Sequence, residues 1–131
     1  MIQDKDFTLR LIRQLTQALE KILLGKPEES LMQKDLDLDF LMKDIFKFDF
    51  KELSSKSISE IDALVEDGES KDHVDYYEML GNVFQFKFNQ TKQLDFAEKT
   101  KYFYERYLHK SGIFALPIIN RISVLKKILK D

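Results

Sequence analysis

Three sets of side chains in this sequence have the composition to do chemistry, and their spacing decides each case. Asp35, Asp37 and Asp39 alternate as at the start of a calcium-binding loop. Such a loop needs glycine at its sixth position, for a sharp turn, and a bidentate glutamate at its twelfth. Phe40 and Phe46 stand there, so the carboxylates read as caps or solvated groups between core leucines. His73 and His109 are the only histidines, and neither forms a pair at metal-ligand spacing. Lys99, Lys101, Arg106 and Lys110 surround Tyr102, a composition that would neutralise phosphate and stack a base. Glu98 and Glu105 interleave with them, which reads as an ordinary solvated face and makes nucleic acid an unfavoured partner. The four glycines are isolated, so no phosphate-cradling loop and no nucleophile elbow is formed. No catalytic residue, metal site or cofactor is expected.

A quieter pattern is more suggestive. Glu78, Asn82, Gln85 and Asn89 recur at helical spacing. Amides are not the best mid-helix residues, and three in line would suit hydrogen bonding to a partner's backbone. These four are the expected partner-binding residues. An alternative is an enclosed aromatic pocket near Tyr102, Tyr104 and Arg106, which would take a small molecule or nucleotide.

Positioning these residues falls to the stretch 72–110. All five tyrosines and five of the eleven phenylalanines lie within it, and rings bury much apolar area per ordered side chain. Residues 83–88 alternate apolar and polar, a strand signal. At about 100° per residue, however, Tyr77, Leu80, Phe84 and Phe88 share one side. Tyr76, Met79, Val83 and Phe86 widen that surface, and the polar four fall opposite. The pattern therefore predicts a helix, broken at 89–93. A second stripe follows: Phe96, Thr100, Phe103 and Tyr107, beside Ala97, Tyr104 and Leu108. Gly112 is placed to end that helix in the left-handed conformation. Two antiparallel helices follow.

Earlier in the chain, Phe7, Leu11, Leu15, Ala18 and Ile22 form a helical stripe, widened by Ile12, Leu19 and Leu23. Asp4 or Asp6 would cap it, and Gly25 with Pro27 would end it. Pro27 suits the start of a next helix, in which Leu31, Leu38, Leu41, Met42 and Ile45 share a side; a kink is expected over 35–39. Residues 46–50 alternate and suit an extended connection. Ser54 to Lys56 reads as a turn. Ser57 and Glu60 have capping-box spacing ahead of a short helix to about Glu66. A polar loop over 67–71 follows, with Ser70 or Asp72 as the next cap. Pro117 suits the opening of a last helix carrying Ile118, Ile122, Leu125 and Leu129 on one side.

Composition sets outer bounds. The 131 residues suffice for one domain with a sizeable core. The chain is 44% hydrophobic and 34% charged with a net charge of −2, which indicates a globular protein without a field that recruits polyanions. No cysteine is present, which excludes disulfides, thiolate catalysis and cysteine-ligated metals within this sequence. No run is long and apolar enough for a membrane span. The periodic, acidic N-terminal stretch does not read as a secretory signal, and cytoplasmic location is expected.

Two resemblances follow from these residues. Tyr77, Leu80, Gly81 and Phe84 stand where the tetratricopeptide pattern has its Trp, Leu-Gly and Tyr, and Thr100, Tyr104 and Tyr107 match positions of its second helix. The chain as a whole, above all residues 7–19, resembles an uncharacterised family of short bacterial proteins. That resemblance implies an all-helical fold with a tetratricopeptide-like C-terminal half, no assigned activity and no catalytic residues. It also implies that Glu78, Asn82 and Gln85 line the groove of a first repeat helix. The expectation is a single all-α domain of five or six helices: N-terminal helices over 1–66, then a right-handed array of helical hairpins over 70–131. The N-terminal helix covers that array or pairs with a second copy. The expected role is a non-catalytic protein–protein interaction module binding another protein or peptide, in which alanine at Asn82 and Gln85 leaves the fold intact.

Overall fold

A computed structural model describes residues 4–25, 38–47, 49–67 and 72–130. Among them are seven helices and no strand. They are α1 (Asp4–Leu23), α2 (Leu38–Phe46), α3 (Phe50–Ser54), α4 (Ile58–Glu66), α5 (His73–Thr91), α6 (Leu94–Ser111) and α7 (Leu116–Leu129). The all-helical expectation holds, with one helix more than expected. The extra element is α3, one turn long, which begins at the end of the expected 46–50 connection and had not been expected. Asp49 and Glu52 form a reciprocal capping box that starts it, with Glu52 N–H donating to Asp49 Oδ1 at 2.9 Å. The side chains of Asp4 and Asp6, expected as caps, are not described, and the start of the helix opened by Pro27, the aspartates at 35 and 37 and the Ser70 cap lie outside the described residues.

Local signals set the ends of several helices. The Ser57–Glu60 box opens α4, with Glu60 N–H to Ser57 Oγ at 3.1 Å and Ser57 N–H to Glu60 Oε1 at 2.8 Å. Gly112 closes α6 with φ of 68°, a backbone region nearly free of cost only for glycine. Pro117 sits in the first turn of α7. The break between α5 and α6 is narrower than the polar run 89–93 indicates. The helix continues to Thr91, Lys92 turns left-handed at φ of 62°, and α6 begins at Leu94.

The α5–α6 hairpin forms the most extensive helix pair. Its seam is aromatic. Phe84 stacks on Phe103 at 5.9 Å, Phe103 stacks on Tyr77 at 6.1 Å, and Phe84 meets Phe96 and Phe50 at 5.8 and 5.4 Å. Burying each ring fully stabilises the fold by roughly 2–3 kcal/mol. Gly81 makes the close approach possible. A methyl group there would collide with the Tyr104 ring at Cδ1 and Cε1, so α6 lies against the α5 backbone itself.

Helix α1 packs across α5 through Ile12, Leu15 and Leu19, all buried. The buried strip is turned from the predicted one, since Phe7 stays 47% exposed and Thr16 is inside. Helix α7 packs on α6 through Ile118, Ile122 and Leu125. The hairpin is thus covered by α1 and by α7.

Candidate partner groove

The polar side of α5 does not form one surface. Asn82 is fully buried. Its Nδ2 donates to the Thr16 carbonyl of α1 at 3.0 Å, and its Oδ1 accepts the Tyr104 hydroxyl at 2.7 Å. The expectation of an outward amide at this position is therefore corrected. Asn82 joins α1, α5 and α6 inside the protein, because α1 must bury its own apolar strip and does so across this face. Glu78 lies half-buried in a different place, a groove of about 480 Å³ between α1 and α5 lined also by Arg13, Glu20, Lys21 and Asp75. Burial, with Glu20 and Asp75 nearby, holds its carboxyl above the usual carboxylate range.

Gln85 and Asn89 do line an open groove, with a side that the sequence did not indicate. Gln85 is mostly buried, and its Nε2 donates to the exposed Asn89 Oδ1 at 2.8 Å. The two amides form one wall of a groove of about 300 Å³. The opposite wall is α7: Asn120, Arg121, Val124, Leu125 and Ile128. Phe88 and Lys92 complete it. Val124 is 54% and Ile128 38% exposed, so α7 carries apolar side chains on its open face as well as its packed one. The lining includes two cations and no carboxylate. One of those cations is already engaged, because Arg121 grips Glu20 by both prongs, at 2.9 and 2.8 Å. Lys92 is the charge left facing the groove, with its ammonium 5.4 Å from the Phe88 ring centre.

The alternative trio does not converge. Tyr104 is fully buried and faces Asn82 and Arg121, whose Nη1 donates to its hydroxyl at 3.3 Å. Burial raises its phenol well above the tyrosine range against the pull of Arg121. Arg106 faces elsewhere, over the Tyr77 ring at 5.3 Å and paired with Glu66 at 3.3 Å. Tyr102 packs edge-on against Phe103 at 5.3 Å. Steps of two residues turn a helix by about 200°, so Tyr104 points away from the side that Tyr102 and Arg106 share.

Two polar clusters escaped the sequence reading. In one, the Tyr77 hydroxyl sits between the carboxylates of Asp62 and Glu66, 2.8 Å from Glu66 Oε2, and donates its single proton into that pair. Lys110 and His73 also approach Glu66, both at 3.6 Å. The bond from Tyr77 lowers the Glu66 carboxyl, while burial and the two acceptors raise the Tyr77 phenol. This cluster fastens α4 to the hairpin. In the other, Lys99 is buried with its ammonium donating to the Ser54 carbonyl at 2.7 Å and to Asp95 at 2.8 Å, 5.6 Å from the Phe84 ring centre. A buried charge requires such partners, and here it caps the C-terminal end of α3. Lys101 pairs with Glu105 at 3.4 Å. The basic cluster of 99–110 is thus engaged by the protein's own acceptors.

Among the described residues no group of three metal-ligating side chains converges, and no helix is long and apolar enough to cross a membrane. No family model, no curated protein and no solved structure matches the chain.

Proposed function

We propose that this chain is a non-catalytic protein-interaction module whose groove between α5 and α7 receives a helical segment of another protein. The observation that carries this reading is the open face of α7. Val124 and Ile128 present apolar area beside Phe88, while the amides of Gln85, Asn89 and Asn120 stand along the edges. An apolar floor with polar edges is how helix-in-groove recognition works: anchors at i, i+3/i+4 and i+7 fill the floor. Lys92 at the C-terminal end of α5 lines the groove, and Lys127 and Lys130 are exposed at the C-terminal end of α7, which favours an occupant whose anchors are flanked by Asp or Glu. In this reading α5, α6 and α7 act as one and a half units of a tetratricopeptide-like array, with α5 and α7 as its groove-lining helices. The clustered titratable groups elsewhere face one another, which supports a binding role over a catalytic one.

Selection of displayed helical peptides against the immobilised protein tests this. The expected winners carry spaced apolar anchors with acidic flanks, and they lose at least tenfold in affinity against Val124→Asp. Winners that bind Val124→Asp and the parent equally, or no winners at all, would contradict the groove.

A further inference from the structure

Gln85 is 8% exposed, yet its hydrogen bond ties no other element to α5. Its Nε2 donates to Asn89 Oδ1, one turn along the same helix, and among the described residues neither side-chain amide has another partner. Asn82 shows what a structural amide does on this helix: it bonds to both α1 and α6. The Gln85 Oε1 is not sealed inside the protein, and it remains accessible from the groove that Gln85 and Asn89 line. The bond between the two amides leaves Gln85 Oε1 as an acceptor and Asn89 Nδ2 as a donor. Turning both amides over exchanges these roles and leaves the same complement, one acceptor beside one donor.

We propose that this pair selects a primary amide, an inference that rests on a partner helix occupying the α5–α7 groove. The occupant sets a Gln or Asn side chain between its apolar anchors, accepting from Asn89 Nδ2 and donating to Gln85 Oε1. A carboxylate offers only acceptors, and an ammonium or guanidinium only donors, so each matches half of the pair. The peptide groups of a helix are already bonded along its length. A side-chain amide is therefore the group of a helical segment that supplies both. Water serves the two protein groups before binding. Apolar anchors over Phe88, Val124 and Ile128 exclude that water, and a buried polar group left without a partner costs more than one bond contributes. Selectivity thus arises by rejection: a segment with an aliphatic side chain at this position strands both groups. The groove, about 300 Å³, is at the small end for a binding site, so few side chains enter it and each is selected.

Displayed helical peptides with randomised surface positions, selected against the full chain, test this when combined with matched substitutions on both sides. Winners whose binding depends on Val124 are expected to share Gln or Asn at one position between two apolar ones. Replacing that residue by methionine should weaken binding to the parent protein by about tenfold or more. Against Gln85→Met, which keeps the length of the side chain, the same replacement should change affinity by less than about twofold, because the acceptor is gone. Asn89→Ala removes the donor at an exposed position and should reduce the methionine penalty as well, which keeps the test decisive if Gln85→Met does not fold. Val124-dependent winners without a shared amide would overturn amide selection and leave the groove standing. So would a methionine penalty equal against the parent and every folded variant. A selection that yields no Val124-dependent winner would overturn both.

Discussion

Arg121 and Glu20 meet by both prongs, Nη1 to Oε1 at 2.9 Å and Nη2 to Oε2 at 2.8 Å, across 101 positions of sequence. Their side chains are only 13% and 28% exposed. The pair ties the last helix to the first and fixes the α7 wall of the partner groove. Arg121 also donates to the Tyr104 hydroxyl, which donates to Asn82. One continuous network therefore crosses α7, α1, α6 and α5. Removing one member of a buried, bidentate pair leaves the other uncompensated. Arg121→Leu or Glu20→Leu is expected to cost about 2–4 kcal/mol in urea unfolding. The double variant should cost less than the sum by at least about 1 kcal/mol; strict additivity would show that the contact carries no coupling.

Asn82 tests the same network from its centre. Alanine there strips the partner from both the Thr16 carbonyl and the Tyr104 hydroxyl, each of them buried. Each orphaned group costs about 1–3 kcal/mol, so Asn82→Ala should lower stability by about 2–4 kcal/mol. That reverses the expectation, drawn from spacing alone, that the substitution leaves the fold intact. Asn89→Ala, at an exposed position, should fall within about 0.5 kcal/mol of the parent. Equal unfolding midpoints for the two variants would contradict the burial of Asn82.

Gly81 separates propensity from packing. In an exposed helix, glycine to alanine gains about 1 kcal/mol. Here the added methyl meets the Tyr104 ring, and overpacking of a filled core costs about 1–3 kcal/mol. Gly81→Ala is expected to lower the melting temperature, and Gly81→Ala combined with Tyr104→Leu should lose less than the two changes summed. A Gly81→Ala variant more stable than the parent would show that α6 does not rest on the α5 backbone.

Glu78 gives the pH dependence. Its carboxyl is raised, first by burial and then by Glu20 and Asp75, with Arg13 and Lys21 also facing that groove. The unfolded chain releases this proton near the ordinary glutamate value of about 4.3, and the folded protein holds it to higher pH. The folded state therefore binds more protons in that window. Stability from this group is complete below the unfolded value and is lost as pH rises through the folded one. Glu78→Gln should stabilise the protein at neutral pH by about 0.5 kcal/mol, the scale of one like-charge helix contact. The gain should vanish near pH 4. Melting curves at the two pH values check this, and an equal gain at both would point to a cause other than ionisation.

What could be read from the sequence was what is local. The capping box at Ser57, the left-handed Gly112, Pro117 in a first turn and the ring stripes of α5 and α6 each depend on residues within a turn or two, and they marked helix ends and faces. The error at Asn82 has a physical origin. Helical spacing shows which residues are polar, not which are wet. One signal for the correct reading was present: α5 is apolar around most of its circumference, and a helix of that kind is buried on several sides. The pairing of Gln85 and Asn89 with Val124 and Ile128 had no local trace, because α7 arrives from more than 30 positions away. The same holds for Lys99 on Ser54 and for Arg121 on Glu20. Each of these contacts is decided by how helices stack.

Photo-crosslinking from the groove tests the proposed role most directly. A benzophenone side chain placed at Asn120 or Val124, in the protein expressed in its native cell, should yield a discrete covalent adduct with another protein. Glu98, exposed on α6, serves as the control position and should give none. Adding Ile128→Asp should abolish the groove adducts without lowering the amount of folded protein. Adducts that form equally from Glu98, or that persist with Ile128→Asp, would contradict a partner seated between α5 and α7.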